Sequence, residues 1–87
     1  MTTEEIKQKI INIVSEQLNI ESSDLKDSNM NLYSSYCMDK LDITEIAIKI
    51  EEEFEITLSN FDTIIFEESI TIQNLVDYVF KDLSVQD

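Results

Sequence analysis

The chain has 87 residues and a formal net charge of −13, from 19 acidic residues against six lysines, with no arginine, histidine, glycine or proline. That length predicts one domain, residues 1–87, near the lower limit for folding on apolar burial alone, and a 43% apolar share is enough for a core. The charge argues against nucleic acid and anionic membrane surfaces, which both need Lys and Arg, and favours a basic protein partner, although part of the acid simply keeps a small domain soluble.

The first helix is predicted from about Glu4 to Leu18, with Ile6, Ile10, Ile13, Val14 and Leu18 on one face. Thr2 and Glu5 have capping-box spacing at its start, and Asn19 suits a left-handed cap at its end. Without glycine or proline, turns fall to Asn, Asp and Ser, and no glycine-rich phosphate loop can form. A long polar connection follows from Ile20 to Met38, pinned by Ile20, Leu25, Met30, Leu32, Tyr33 and Tyr36. Loops of such length in small domains carry function or are held down by their own side chains.

The second helix is expected to begin near Asp39, a good N-cap, and to run to about Glu55. A short third element is placed at Asn60 to Phe66, with Ser59 and Asp62 at capping-box-like spacing. The fourth helix is predicted from Ile72 to about Leu83, capped by Thr71, with Ile72, Leu75, Val76, Val79, Phe80 and Leu83 at helical spacing. No segment alternates as a strand does. The expected fold is all-α: a small four-helix bundle, three helices long and one short, with a long loop after the first.

The second helix has two apolar faces. At about 100° per residue, Ile43, Ile46, Ala47, Ile50 and Phe54 share one arc and form its core stripe. Leu41 and Ile48 lie almost over each other on the opposite side, interleaved with Glu45 and Glu52. Exposed apolar residues are common and need no special role. Set among carboxylates, though, this pair reads as a docking strip in which Leu41 and Ile48 supply contact and Glu45 and Glu52 supply steering.

An enzyme is not expected, because the chain has no histidine and offers no nucleophile paired with a base. Asp24, Asp27 and Asp39 to Asp42 do not alternate around a central glycine as a calcium loop requires, and Glu51-Glu52-Glu53 reads as a solvated helix face. No apolar run approaches the roughly 20 residues of a membrane span. The start, Met1-Thr2-Thr3-Glu4-Glu5, is too acidic and polar for a signal peptide. One cysteine, Cys37, allows no internal disulfide and suits a reducing compartment. Together these features lead us to expect a cytoplasmic chain, monomeric when free.

The block Cys37-Met38-Asp39-Lys40-Leu41-Asp42, running into the helix that closes on Glu51-Glu52-Glu53-Phe54, resembles the signature of acyl and peptidyl carrier proteins. In that family an Asp-Ser-Leu triplet opens an acidic helix, and the register here holds without a gap from Leu32 to Phe54. Weaker matches extend it over most of the chain. Ile10-Ile11 and Gln17-Leu18-Asn19-Ile20 look like the first carrier helix and its exit, and Ile72-Gln73 with Val76-Asp77-Tyr78 looks like the last helix. Phe54-Glu55-Ile56-Thr57-Leu58 resembles the stand-alone D-alanyl and peptidyl carriers. The resemblance implies a protein that carries acyl or aminoacyl groups on phosphopantetheine for fatty acid, polyketide or peptide-type biosynthesis. It also implies that Leu41, Glu45, Ile48 and Glu52 face the enzymes that transfer those groups.

Two positions depart from the family pattern. The glycine three residues before the modified serine is Cys37, and the serine itself is Lys40, beside Asp39. A lysine amine cannot form the phosphodiester that a serine hydroxyl forms, and a solvated ammonium is weakly nucleophilic at neutral pH. It also puts positive charge where a helix start favours negative. The chain as written is therefore expected to lack the arm, and a phosphopantetheinyl transferase becomes a partner if serine is restored at position 40. Ser35 and Ser34, five and six residues upstream, do not sit at the helix start.

Three readings stay open. Lys40 replaces a native serine in an acyl- or aminoacyl-shuttling carrier, which the encoding gene would reveal. Alternatively, it is native to a carrier-like scaffold or regulatory subunit that docks a basic enzyme without the arm. In the third, Lys40 or Cys37 is itself a covalent attachment site, with Lys40 lowering the thiol's pKa. An amide at Lys40 suits a stable tag better than a shuttle, and a lone cysteine is most often a small apolar residue.

Overall fold

A computed structural model of the chain describes residues 2–25 and 27–85. Among the described residues five α-helices carry the fold: α1 (Thr3–Leu18), α2 (Leu32–Tyr36), α3 (Lys40–Phe54), α4 (Phe61–Phe66) and α5 (Ile72–Val85), with a 3-10 turn at Ser22–Leu25. The described residues form no strand. None of the helices is long and apolar enough to cross a membrane.

α1 opens on the expected capping box, with Thr2 Oγ1 accepting from the Glu5 amide at 3.2 Å and Glu5 accepting from the Thr2 amide at 3.1 Å. The bond from the Thr2 amide, and a second one that the Thr2 hydroxyl donates at 3.1 Å, hold the Glu5 carboxyl below its ordinary value. Asn19 ends the helix in the left-handed region at φ 56°. Cys37 (φ 54°) and Glu55 (φ 54°) adopt the same conformation. So the absence of glycine is not met by Asn, Asp and Ser alone: a cysteine and a glutamate also take positions where a Cβ costs about 1 kcal/mol or more.

The Ile20–Met38 connection is more structured than a long loop. Asn31 caps α2 by accepting from the Tyr33 amide at 3.0 Å. The Leu32 amide donates to the Ile70 carbonyl at 2.8 Å, and the Gln73 amide donates to that of Ser28 at 2.9 Å, tying the segment to the start of α5. Leu25, Leu32 and Met38 are buried and Ile20, Tyr33 and Tyr36 pack against the core, whereas Met30 is exposed and pins little. Five residues give less than two turns, too short for α2 to show a period in the sequence.

α3 and α5 both pack on α1, and α4 packs on α3. The inward faces carry Ile6, Ile10, Val14, Ile43, Ile46, Ile50, Leu75 and Val79, each almost wholly removed from water. Burying a side chain of that size contributes about 1.5–3 kcal/mol, which makes this face the main source of stability. Two sequence expectations change here. Phe80, assigned to the core stripe of α5, is half exposed, and Asp82 on the opposite shoulder of that stripe is buried instead. Ser59 does not cap α4 through Asp62. Its amide and hydroxyl both donate to Asp82, at 3.0 and 2.7 Å, and this pairing is what makes burial of the carboxylate tolerable.

Candidate functional site

The start of α3 is fixed by its own side chains. Asp39 accepts from the Asp42 amide at 2.8 Å, and Asp42 accepts from the Asp39 amide at 3.3 Å, a reciprocal cap built from two aspartates. Gln17 on α1 donates to Asp42 at 3.3 Å and accepts from Lys49 at 3.1 Å, which sets the first turns of α3 against α1. The helix then places each anticipated residue in turn. Ile43, Ile46, Ala47, Ile50 and Phe54 are buried. Leu41 is 70% and Ile48 40% exposed, and Glu45 and Glu52 stand in solvent between them.

Lys40 is exposed, as expected of a solvated ammonium, but it also has partners within the protein. Its Nζ donates to the carbonyl oxygens of Ile65 and Glu67, both at 3.0 Å, at the C-terminal end of α4. The same ammonium lies 5.3 Å from the centre of the Tyr33 ring. The positive charge that is unfavourable at the start of α3 is thus delivered to the carbonyl end of another helix, where a cation is favoured. The hydroxyl of Thr44, one turn further along, donates to the Lys40 carbonyl at 2.8 Å.

Around this ammonium stand side chains that sequence patterns alone did not single out. Glu67 accepts from the Tyr78 hydroxyl at 3.2 Å, which joins α5 to the cluster. Burial raises the Tyr78 hydroxyl above its ordinary value, helped by that hydrogen bond and by the charge of Glu67. Burial likewise raises Tyr33, with the charges of Asp39 and Glu67 adding to the effect. The Tyr33 oxygen is enclosed and has no hydrogen-bond partner among the described residues. Phe66, between the two residues whose carbonyls hold Lys40, is 74% exposed and adds a large ring next to the start of α3. The signal was present: Ile64, Ile65 and Phe66 cannot all face inward from one short helix, and Ile64 takes the core.

Cys37 and the two serines precede the start of α3. Cys37 is exposed and closes α2 in the left-handed conformation, the backbone state that favours glycine. Ser34 and Ser35 are on α2 rather than in an open loop, and Ser34 donates to the Asn31 carbonyl at 3.4 Å.

A family model described as "Phosphopantetheine attachment site" matches residues 8–79. Among curated proteins, an acyl carrier protein of Prochlorococcus marinus is 43% identical over 58 residues, covering 67% of this chain and 71% of its own length. One from Cyanidioschyzon merolae is 35% identical over 81 residues, covering 93% of this chain and 85% of its own. A third, from Buchnera aphidicola, is 35% identical over 74 residues, or 85% and 89% of the two chains.

Proposed function

The chain belongs to the phosphopantetheine-attachment family that contains the acyl carrier proteins, and we propose that it acts by docking its acidic α3 face on a basic acyl- or aminoacyl-transferring enzyme, with no phosphopantetheine on Lys40. Members of this family are carriers rather than enzymes, and the family binds phosphopantetheine. The group does not fit position 40 as this chain has it. Attachment needs a hydroxyl at the start of α3, and that place holds an ammonium engaged by two carbonyls. Thr44, the next hydroxyl on the helix, is engaged by the backbone. The engagement of Lys40 is the observation that carries this reading.

Leu41, Ile48 and Phe66 supply the apolar contact of the docking face, and Glu45 and Glu52 steer it. Asp39 fixes where the helix, and so the face, begins. A second reading, a scaffold or regulatory subunit that never carried an arm, is favoured by the same two hydrogen bonds, because lysine here has a structural role of its own. Attachment through Lys40 or Cys37 gains less support: the amine is held as a charged donor, and Cys37 has a backbone role at the end of α2.

Docking is tested with a phosphopantetheinyl transferase of broad specificity as the probe, acting with coenzyme A on a Lys40→Ser variant. Adding Glu45→Lys and Glu52→Lys is expected to slow loading about tenfold or more and to flatten its dependence on salt. Equal rates and equal salt dependence would count against the α3 face.

A further inference from the structure

α4 is the least self-sufficient helix of this fold. It has six residues, the Asn60 side chain caps none of its amides, and it gives the core one buried side chain, Ile64, with Phe61 partly buried against it. A helix of that length does not form alone in water, because the cost of nucleation is not recovered. It is held instead by charged side chains that arrive from other helices at both ends.

Before its first turn, Asp82 of α5 accepts from the amide and hydroxyl of Ser59. Past its last turn, Lys40 of α3 donates to the carbonyls of Ile65 and Glu67. The anion stands at the amide end and the cation at the carbonyl end, the arrangement that the helix dipole favours. The two carbonyls that Lys40 holds flank Phe66, so Lys40 fastens the backbone that carries this ring. The Tyr33 ring under the ammonium brings α2 into the same fastening.

We propose that Lys40 is a latch: its ammonium fastens the C-terminal end of α4 to the start of α3, and its release frees α4 and Phe66 while α1, α3 and α5 stay packed. The sidedness is what makes this a switch rather than general stabilisation. α1, α3 and α5 share a continuous apolar core that does not depend on Lys40, whereas α4 has one buried residue, one partly buried ring at Phe61 and two external fasteners.

Amide hydrogen exchange by NMR on the unaltered chain, Lys40→Met and Lys40→Arg tests the latch. The Ile64 and Glu67 amides, which donate to the Asn60 and Thr63 carbonyls, are expected to exchange about tenfold faster or more in Lys40→Met. Amides within α1 and α5 are expected to change less than about threefold, and Lys40→Arg, which keeps a cation, to recover part of the protection. Unchanged exchange at Ile64 and Glu67 overturns the proposal, and so does equal acceleration throughout α1 and α5. Asp82→Asn loosens the other fastener and provides a second test. Faster exchange centred on residues 61–67 is expected, and loosening confined to other segments overturns the proposal.

Discussion

Removing the Asp82 carboxylate is expected to be among the costliest single polar changes in this chain. Asp82 is 5% exposed and accepts two hydrogen bonds from one residue, Ser59, at 2.7 and 3.0 Å. A hydrogen bond to a charged group contributes about 1.5–3 kcal/mol. Two such bonds sum to about 3–6 kcal/mol, but Ser59 is itself exposed, so water replaces part of what Asp82→Ala removes and the expected loss is about 2–3 kcal/mol. Relief of repulsion in a chain of charge −13 acts in the opposite direction and is smaller at such a paired site. In a domain of this size about 2–3 kcal/mol lowers the melting temperature by roughly 8–20 °C. Urea unfolding followed by circular dichroism measures it, and a double-mutant cycle with Ser59→Ala isolates the pair, with an expected coupling of about 1 kcal/mol or more. A loss below about 0.5 kcal/mol for Asp82→Ala, the range of an ordinary surface change, would refute this account of how the α3–α4 connection is held.

Other expectations follow from single contacts. Tyr33→Phe keeps the ring under Lys40 and deletes a hydroxyl that has no partner among the described residues, so stability is expected to be unchanged or up to about 1 kcal/mol higher, and a clear loss in urea unfolding would mean the hydroxyl has a partner. Cys37→Gly relieves a left-handed backbone position and is expected to stabilise by roughly 0.5–1 kcal/mol after the added freedom of the unfolded chain is subtracted; a destabilised variant would show that the thiol packs usefully. The partly buried tyrosines predict a loss of stability at alkaline pH. Because Tyr33 and Tyr78 hold their protons above the ordinary value of 10.0, the folded state binds more protons there than the unfolded one. That contribution is complete below pH 10.0 and is lost as pH rises through the folded values, and Tyr33→Phe should reduce the alkaline slope.

Much of the fold is legible in the sequence because it is local. The Thr2–Glu5 box, Asn19 as a left-handed cap, Asp39 as the N-cap of α3 and the α3 core stripe from Ile43 to Phe54 all follow from spacing within one or two turns. The exposed side of α3, with Leu41 and Ile48 among Glu45 and Glu52, follows from the same periodicity. What escaped depends on partners far along the chain. Asp82 meets Ser59 across 23 residues, and Lys40 meets Ile65 and Glu67 across 25 and 27. Asp82 and Phe80 lie on opposite shoulders of the α5 stripe, and periodicity alone does not say which shoulder the Ser59 segment covers. The carrier resemblance identified the family while leaving the role of Lys40 unread, because a fastening between two helices has no signature within either one.

The most direct test of the functional account is intact mass after incubation with coenzyme A and a broad-specificity phosphopantetheinyl transferase, for the unaltered chain beside Lys40→Ser. The account predicts that the Ser variant gains the arm while the unaltered chain keeps its mass. An arm on the unaltered chain would contradict it, by locating attachment at a residue other than the one that opens α3.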